Sequence, residues 1–92
     1  LNKTVCLCIH GRVQGVWYRA WTAETARDFG LKGWVRNRAD GTVEAVLSGD
    51  YEVVQAMILR CHEGPPLAQV SNIDIRDYAE AAGDAFEVLP TV

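Results

Sequence analysis

Hydrophobic and polar residues alternate over Thr4–Val13. Val5, Leu7 and Ile9 point one way, and Thr4, Cys6, Cys8 and His10 point the other. A period of two predicts a strand with one buried face. Gly11 and Gly15 then punctuate a short loop. From Trp17 to Phe29 the period changes. Tyr18, Thr22, Thr25, Ala26 and Phe29 share one broad stripe, and Glu24, Arg27 and Asp28 lie largely outside it. That spacing predicts an amphipathic helix. Gly30 is its expected stop, because glycine takes the left-handed conformation cheaply.

Leu31–Arg38 reads as a second strand, with Leu31, Gly33, Val35 and Asn37 on the core-facing side. Ala39-Asp40-Gly41 is a hairpin turn, and Asp-Gly is a strong signal for one. Thr42–Ser48 returns with Val43, Ala45 and Leu47 inward, and Gly49 is its expected end. Asp50 is placed to cap a second helix. Val54, Met57, Ile58 and Cys61 form that helix's apolar stripe, and Gly64-Pro65-Pro66 stops it. Ala68–Tyr78 is a fourth strand. Its apolar phase slips between Val70 and Ile73, which predicts a bulge. Ala85–Leu89 is a short last strand before Pro90, at an edge because proline cannot donate to a ladder.

The order is β-α-β-β-α-β with a short fifth strand. It predicts an α+β sandwich of the ferredoxin-like type, an antiparallel sheet carrying two helices on one face. At 92 residues, the expectation is a single domain over residues 1–92. With 49% hydrophobic and 23% charged residues, the chain has the composition of a folded globular domain. It has no apolar run of ~20 residues and no signal-peptide pattern, so a cytoplasmic protein away from membranes is expected. Monomer is the simplest state for this size.

The three cysteines, Cys6, Cys8 and Cys61, are odd in number and contain no C-x-x-C, so no disulfide framework is expected. Half-buried, reduced thiols are the default. A Cys6, Cys8, His10 row along one strand spans about 13 Å at ~3.3 Å per residue. That is too long for three ligands of one tetrahedral ion, so no metal centre is expected.

Net charge is −3, which disfavours a general nucleic-acid binder. The distribution is uneven. Residues 10–38 hold six basic and two acidic side chains, while residues 39–92 hold two basic and ten acidic. A basic third within an acidic chain is compatible with a local anion site.

The stretch Gly11-Arg12-Val13-Gln14-Gly15-Val16-Trp17-Tyr18-Arg19 leaves a strand, loops over two glycines and enters a helix. Free N–H groups at a helix start favour an anion, and glycines let the preceding amides converge. Arg19 falls in the first helical turn, where its planar fork could take two oxygens of one phosphate. By local reasoning this is either a phosphate cradle or a plain turn with a surface arginine. It is neither a Walker loop nor a G-x-G-x-x-G fingerprint. Asn37 ends a core-facing row, where a polar amide needs a partner. It is either a turn-stabilising residue or an amide that holds a water at a pocket mouth.

Two motifs sharpen the choice. G-R-V-Q-G-V-W-Y-R over Gly11–Arg19 resembles the signature of the acylphosphatases. G-W-V-R-N over Gly33–Asn37, followed by Asp40-Gly41-Thr42-Val43-Glu44, resembles that family's second signature. The resemblance covers nearly the whole chain and implies hydrolysis of small-molecule acyl phosphates to a carboxylate and inorganic phosphate. By motif position it implies that Arg19 binds phosphate and Asn37 positions the attacking water. The amides of Arg12, Val13, Gln14, Gly15, Val16, Trp17 and Tyr18 match the phosphate loop. It also implies no metal and no organic cofactor.

One departure stands out. The family often closes its last strand with a basic residue, whereas Phe86-Glu87-Val88-Leu89-Pro90-Thr91-Val92 has none. Support of the site by this segment is therefore not expected. Three other readings compete. One is a regulatory module that binds phosphate or acyl phosphate without turnover. Another is an RNA-binding domain, whose open sheet face would show Cys6, Cys8, His10, Trp34, Glu44 and Val46, a poor stacking platform. The third is a segment of a larger acyl- or carbamoyl-transfer protein that carries an acylphosphatase-like domain, over which a stand-alone enzyme is expected.

Overall fold

The computed structural model describes all 92 residues. In chain order the elements are β1 (Asn2–Arg12), α1 (Tyr18–Asp28), β2 (Lys32–Asn37), β3 (Val43–Asp50), α2 (Tyr51–Glu63), β4 (Gln69–Asp77) and β5 (Phe86–Val88). They build a five-stranded sheet in the order β4-β1-β3-β2-β5. The first four strands pair antiparallel, as the ferredoxin-like reading requires. The sheet is nevertheless mixed, not antiparallel throughout, because β5 runs parallel to β2. The reason is topological. β4 lies antiparallel to β2 by the intervening pairings, so a strand that reverses after β4 and docks beside β2 must run with it.

The sequence signals set these boundaries with two adjustments. Gly49 does not end β3; it pairs with Lys3, and the strand runs on to Asp50. Asp50 then caps α2, accepting from the Glu52 N–H at 3.3 Å. The phase slip in β4 is a bulge. His10 faces Asn72 while Gly11 faces Val70, so Ser71 is the extra residue. Gly11 at φ 121 is what permits it, because a Cβ there would strike the Gln69 carbonyl.

One sheet face carries Val5, Leu7, Ile9, Val35, Val43, Ala45 and Leu47, all essentially buried. The helices cover it with the stripes Tyr18, Thr22, Ala26 and Val54, Met57, Ile58, Cys61. Each such aliphatic burial is worth about 1.5–3 kcal/mol against exposure. Phe29 drops out of the α1 stripe and is half-exposed, while Ala23 joins it.

The opposite sheet face is not the open platform that alternation suggested. Cys6, Glu44 and Val46 on it are buried. The Glu44 carboxylate accepts from Arg36 Nε at 2.7 Å and from Arg38 Nη1 at 3.4 Å. Arg36 in turn lies over the Trp34 ring, 4.6 Å from its centroid, and Tyr78 meets that ring edge-on. A buried carboxylate is tolerated because both oxygens find cationic donors. Cys6 is more enclosed than expected, and that burial pushes its thiol pKa up. No helix is long and apolar enough to cross a membrane.

Candidate active site

The loop between β1 and α1 is pinned by its own sequence. Val13 and Val16 are buried in the core and fix its two shoulders. Between them, the Gln14 amide turns away and ties the loop to the β2–β3 hairpin. Its Nε2 donates to the carbonyls of Arg38 at 2.8 Å and Thr42 at 2.9 Å. Gly15 takes φ 73, and Trp17 takes φ 72, the one residue other than glycine on the left-handed side. A bulky residue held there is strained by about 1–3 kcal/mol, a cost met with at ligand sites. Trp17 also stands 80% exposed at the rim.

The result is a run of free donors. None of the N–H groups of residues 13–17 donates to a backbone or side-chain acceptor. The first intrahelical bond at this end is from the Trp21 N–H to the Trp17 carbonyl, at 3.0 Å. The N–H groups of Tyr18, Arg19 and Ala20 therefore also lack intrahelical partners, as at any helix start. Trp17 caps the helix without a side-chain acceptor, and no acidic residue lies in the first turn. The positive end of the helix dipole is therefore left uncompensated.

These residues border an open cavity of about 530 Å³ lined by Val13, Gly15, Trp17, Tyr18, Arg19, Ala20, Asn37 and Val88. Arg19 and Asn37 thus meet at one cavity although they lie 18 residues apart on different elements. Asn37 is buried, and its side-chain Oδ1 is the one buried polar side-chain atom without a hydrogen-bond partner. Such an orphan carries a cost of about 1–3 kcal/mol unless something in the cavity donates to it. Tyr18 is fully buried behind the loop, its hydroxyl donating to the Cys61 carbonyl, and burial raises its pKa. It is a packing residue that joins the helix start to α2.

Not every residue of the first motif reaches the cavity. Arg12 is exposed at the end of β1, opposite Gln69. Gln14 faces the hairpin, and Val16 lines an adjacent apolar groove with Trp17, Trp21, Glu24, Pro65, Pro66 and Leu67. Conversely, the C-terminal segment does support the site, contrary to expectation. Val88 lines the cavity. The Leu89 N–H donates to the Val35 carbonyl at 2.9 Å, and the Val92 N–H to the Asn37 carbonyl at 3.1 Å. It contributes backbone bonds and a valine instead of a charge. The alternating Phe86-x-Val88 pattern was the only signal for it, and it said nothing of a parallel docking beside β2.

A model of the acylphosphatase family matches residues 5–88. The chain belongs to that family. It is 53% identical to an acylphosphatase of Azorhizobium caulinodans over 94 aligned positions, covering all of both chains. It is 49% identical to one of Rhodospirillum rubrum, covering 98% of this chain and 99% of that one. It also superposes on the structure of an acylphosphatase from Coxiella burnetii with a TM-score of 0.91 at 31% identity, covering 96% of this chain and 93% of the other. Hydrolysis of acyl phosphates is therefore its activity. The cavity brings together free amides, a helix start, the Arg19 guanidinium and a buried amide oxygen.

Proposed function

We propose that the phosphoryl group of the acyl phosphate sits against the amides of the 12–18 loop, of which those from Val13 on are free, with Arg19 across it, and that Asn37 orients the attacking water. The observation that carries this is the unpartnered Asn37 Oδ1 at the same cavity as Arg19 and the free amides. An amide oxygen accepts hydrogen bonds and would repel a phosphate oxygen. A water O–H satisfies it and leaves the water's lone pair directed at phosphorus.

The reaction is then a single in-line displacement. A bond forms from the water oxygen to phosphorus as the phosphorus–oxygen bond to the acyl group breaks. The electron pair leaves on the carboxylate, and the water's proton passes to a phosphate oxygen and then to solvent. Phosphoryl transfer is loose, with charge on the equatorial oxygens, so positioning and electrostatics do most of the work. A carboxylate leaves without protonation, which is why no His, Cys or Ser nucleophile is needed.

The same reading makes the chain one functional unit over residues 1–92, working as a monomer, since every invoked group comes from one chain. Three unpaired cysteines favour a reducing compartment such as the cytoplasm. The Glu44-centred cover of the second sheet face disfavours nucleic-acid binding. Hydrolysis in ¹⁸O-labelled water tests the displacement. Label is expected in inorganic phosphate; label in the carboxylate would mean attack at the acyl carbon and would overturn it.

A further inference from the structure

On the second sheet face, outside the catalytic cavity, β1 and β4 bring together three different metal-ligating side chains. Cys8 and His10 are two apart on β1 and so point the same way. Asp74 lies directly opposite Cys8 on β4. The Cys8 Sγ, a His10 ring nitrogen and an Asp74 carboxylate oxygen all lie within 4.8 Å of one another. Cys8 and His10 are half-buried and Asp74 is exposed, so the cluster is both shaped by the sheet and open to solvent.

We propose that Cys8, His10 and Asp74 form a binding site for a borderline divalent transition metal of the zinc type, with water as a fourth ligand. The Cys6-Cys8-His10 row along one strand is too long to share one ion. The third ligand instead comes from across the ladder, where neighbouring strands stand about 4.8 Å apart. Thiolate, imidazole and carboxylate are the usual zinc donors, and three protein ligands plus water is an open tetrahedral set. Donors at 2.0–2.3 Å from an ion stand roughly 3.3–3.8 Å apart, so binding draws the Cys8 sulfur in by up to about 1 Å while the His10–Asp74 pair opens slightly. Half-exposed side chains can supply that by small rotations.

The surroundings are those of a supported site. His10 Nε2 is already 3.0 Å from Asp74 Oδ2, and Asn72 Nδ2 holds the other oxygen, Oδ1, at 2.9 Å. An outer hydrogen bond of that kind orients a ligating carboxylate. Those two bonds also hold the Asp74 carboxyl below its usual range. Arg38 and Arg76 line a small cavity of about 120 Å³ with Cys8 and Asp74. They are compatible with the ion, because thiolate and carboxylate together neutralise a divalent charge. Binding expels the thiol proton to solvent and involves no change of oxidation state.

Cobalt(II), added to the reduced full-length protein, is the probe. The expected result is a thiolate-to-cobalt charge-transfer band, abolished stoichiometrically by Zn²⁺. The band should vanish in Cys8→Ser, and zinc affinity should fall at least about 100-fold in His10→Gln and about 10-fold in Asn72→Ala. Cys6→Ser and Cys61→Ala should keep it. Zinc should also raise the thermal midpoint of the wild type and leave that of His10→Gln unmoved. No band, or a band that survives in a folded Cys8→Ser protein, overturns the site. Acyl phosphate hydrolysis by Cys8→Ser, His10→Gln and Asn72→Ala should match the wild type, which separates this site from the catalytic one.

Discussion

At the residue scale, the proposed mechanism rests on two side chains whose surroundings differ. Arg19 is a charge placed beside free amides, and Asn37 is a buried acceptor that lacks a donor. Replacing Asn37 with Ala should lower kcat by about 10²-fold, while inhibition by inorganic phosphate stays near wild type. Steady-state kinetics with phosphate as inhibitor checks both halves of that statement. Tyr18 and Cys61 make a different prediction. Burial raises the Tyr18 pKa above its ordinary 10.0 and the Cys61 pKa from 9.0 to about 12. In both cases the unfolded chain loses its proton first. Their contribution to stability is therefore intact below pH 9 and drains away as pH rises toward 12. Chemical denaturation across that range should show the decline, and Cys61→Ala should flatten its lower part. Arg19 and Asn37 could be singled out only through the resemblance of their two motifs to the family's. The orphaned state of Asn37 Oδ1 was not legible, because burial depends on strands and loops brought in from elsewhere.

At the element scale, the loop is held by Gln14, which reaches 24 and 28 residues on to the hairpin carbonyls. Gln14→Ala removes two hydrogen bonds, one exposed and one half-buried, worth up to about 1 kcal/mol each. It should also loosen the amides, so KM for an acyl phosphate is expected to rise more than kcat falls. Gly33 is fixed for a steric reason. At φ 135 its Cβ would collide with the Val46 carbonyl across the β2–β3 ladder. Gly33→Ala should cost more than about 3 kcal/mol, read as a fall in the denaturation midpoint. The helices, the hairpin and the β4 bulge could be read from periodicity and glycine placement. The parallel course of β5 and its support of Asn37 could not. A three-residue strand carries almost no pattern, and its direction is set by where four other strands already lie.

At the scale of the whole molecule, charge and packing divide the work. The six basic residues between positions 10 and 38 do not all serve the cavity. Arg36 and Arg38 are committed to Glu44 on the far face, and Arg27 holds the Phe86 carbonyl at 2.8 Å, tying α1 to β5. Arg19 makes no hydrogen bond or ion pair within the protein and is free to take the phosphate as proposed. Only part of the charge in the basic third of the sequence therefore lies at the cavity. The most direct measurement is acyl phosphate hydrolysis by Arg19→Gln, with circular dichroism to show the fold is kept. A loss of at least about 10²–10³-fold, together with loss of inhibition by inorganic phosphate, is the expected result. Near-wild-type turnover in the folded variant would contradict the assignment of Arg19 as the phosphate-binding charge.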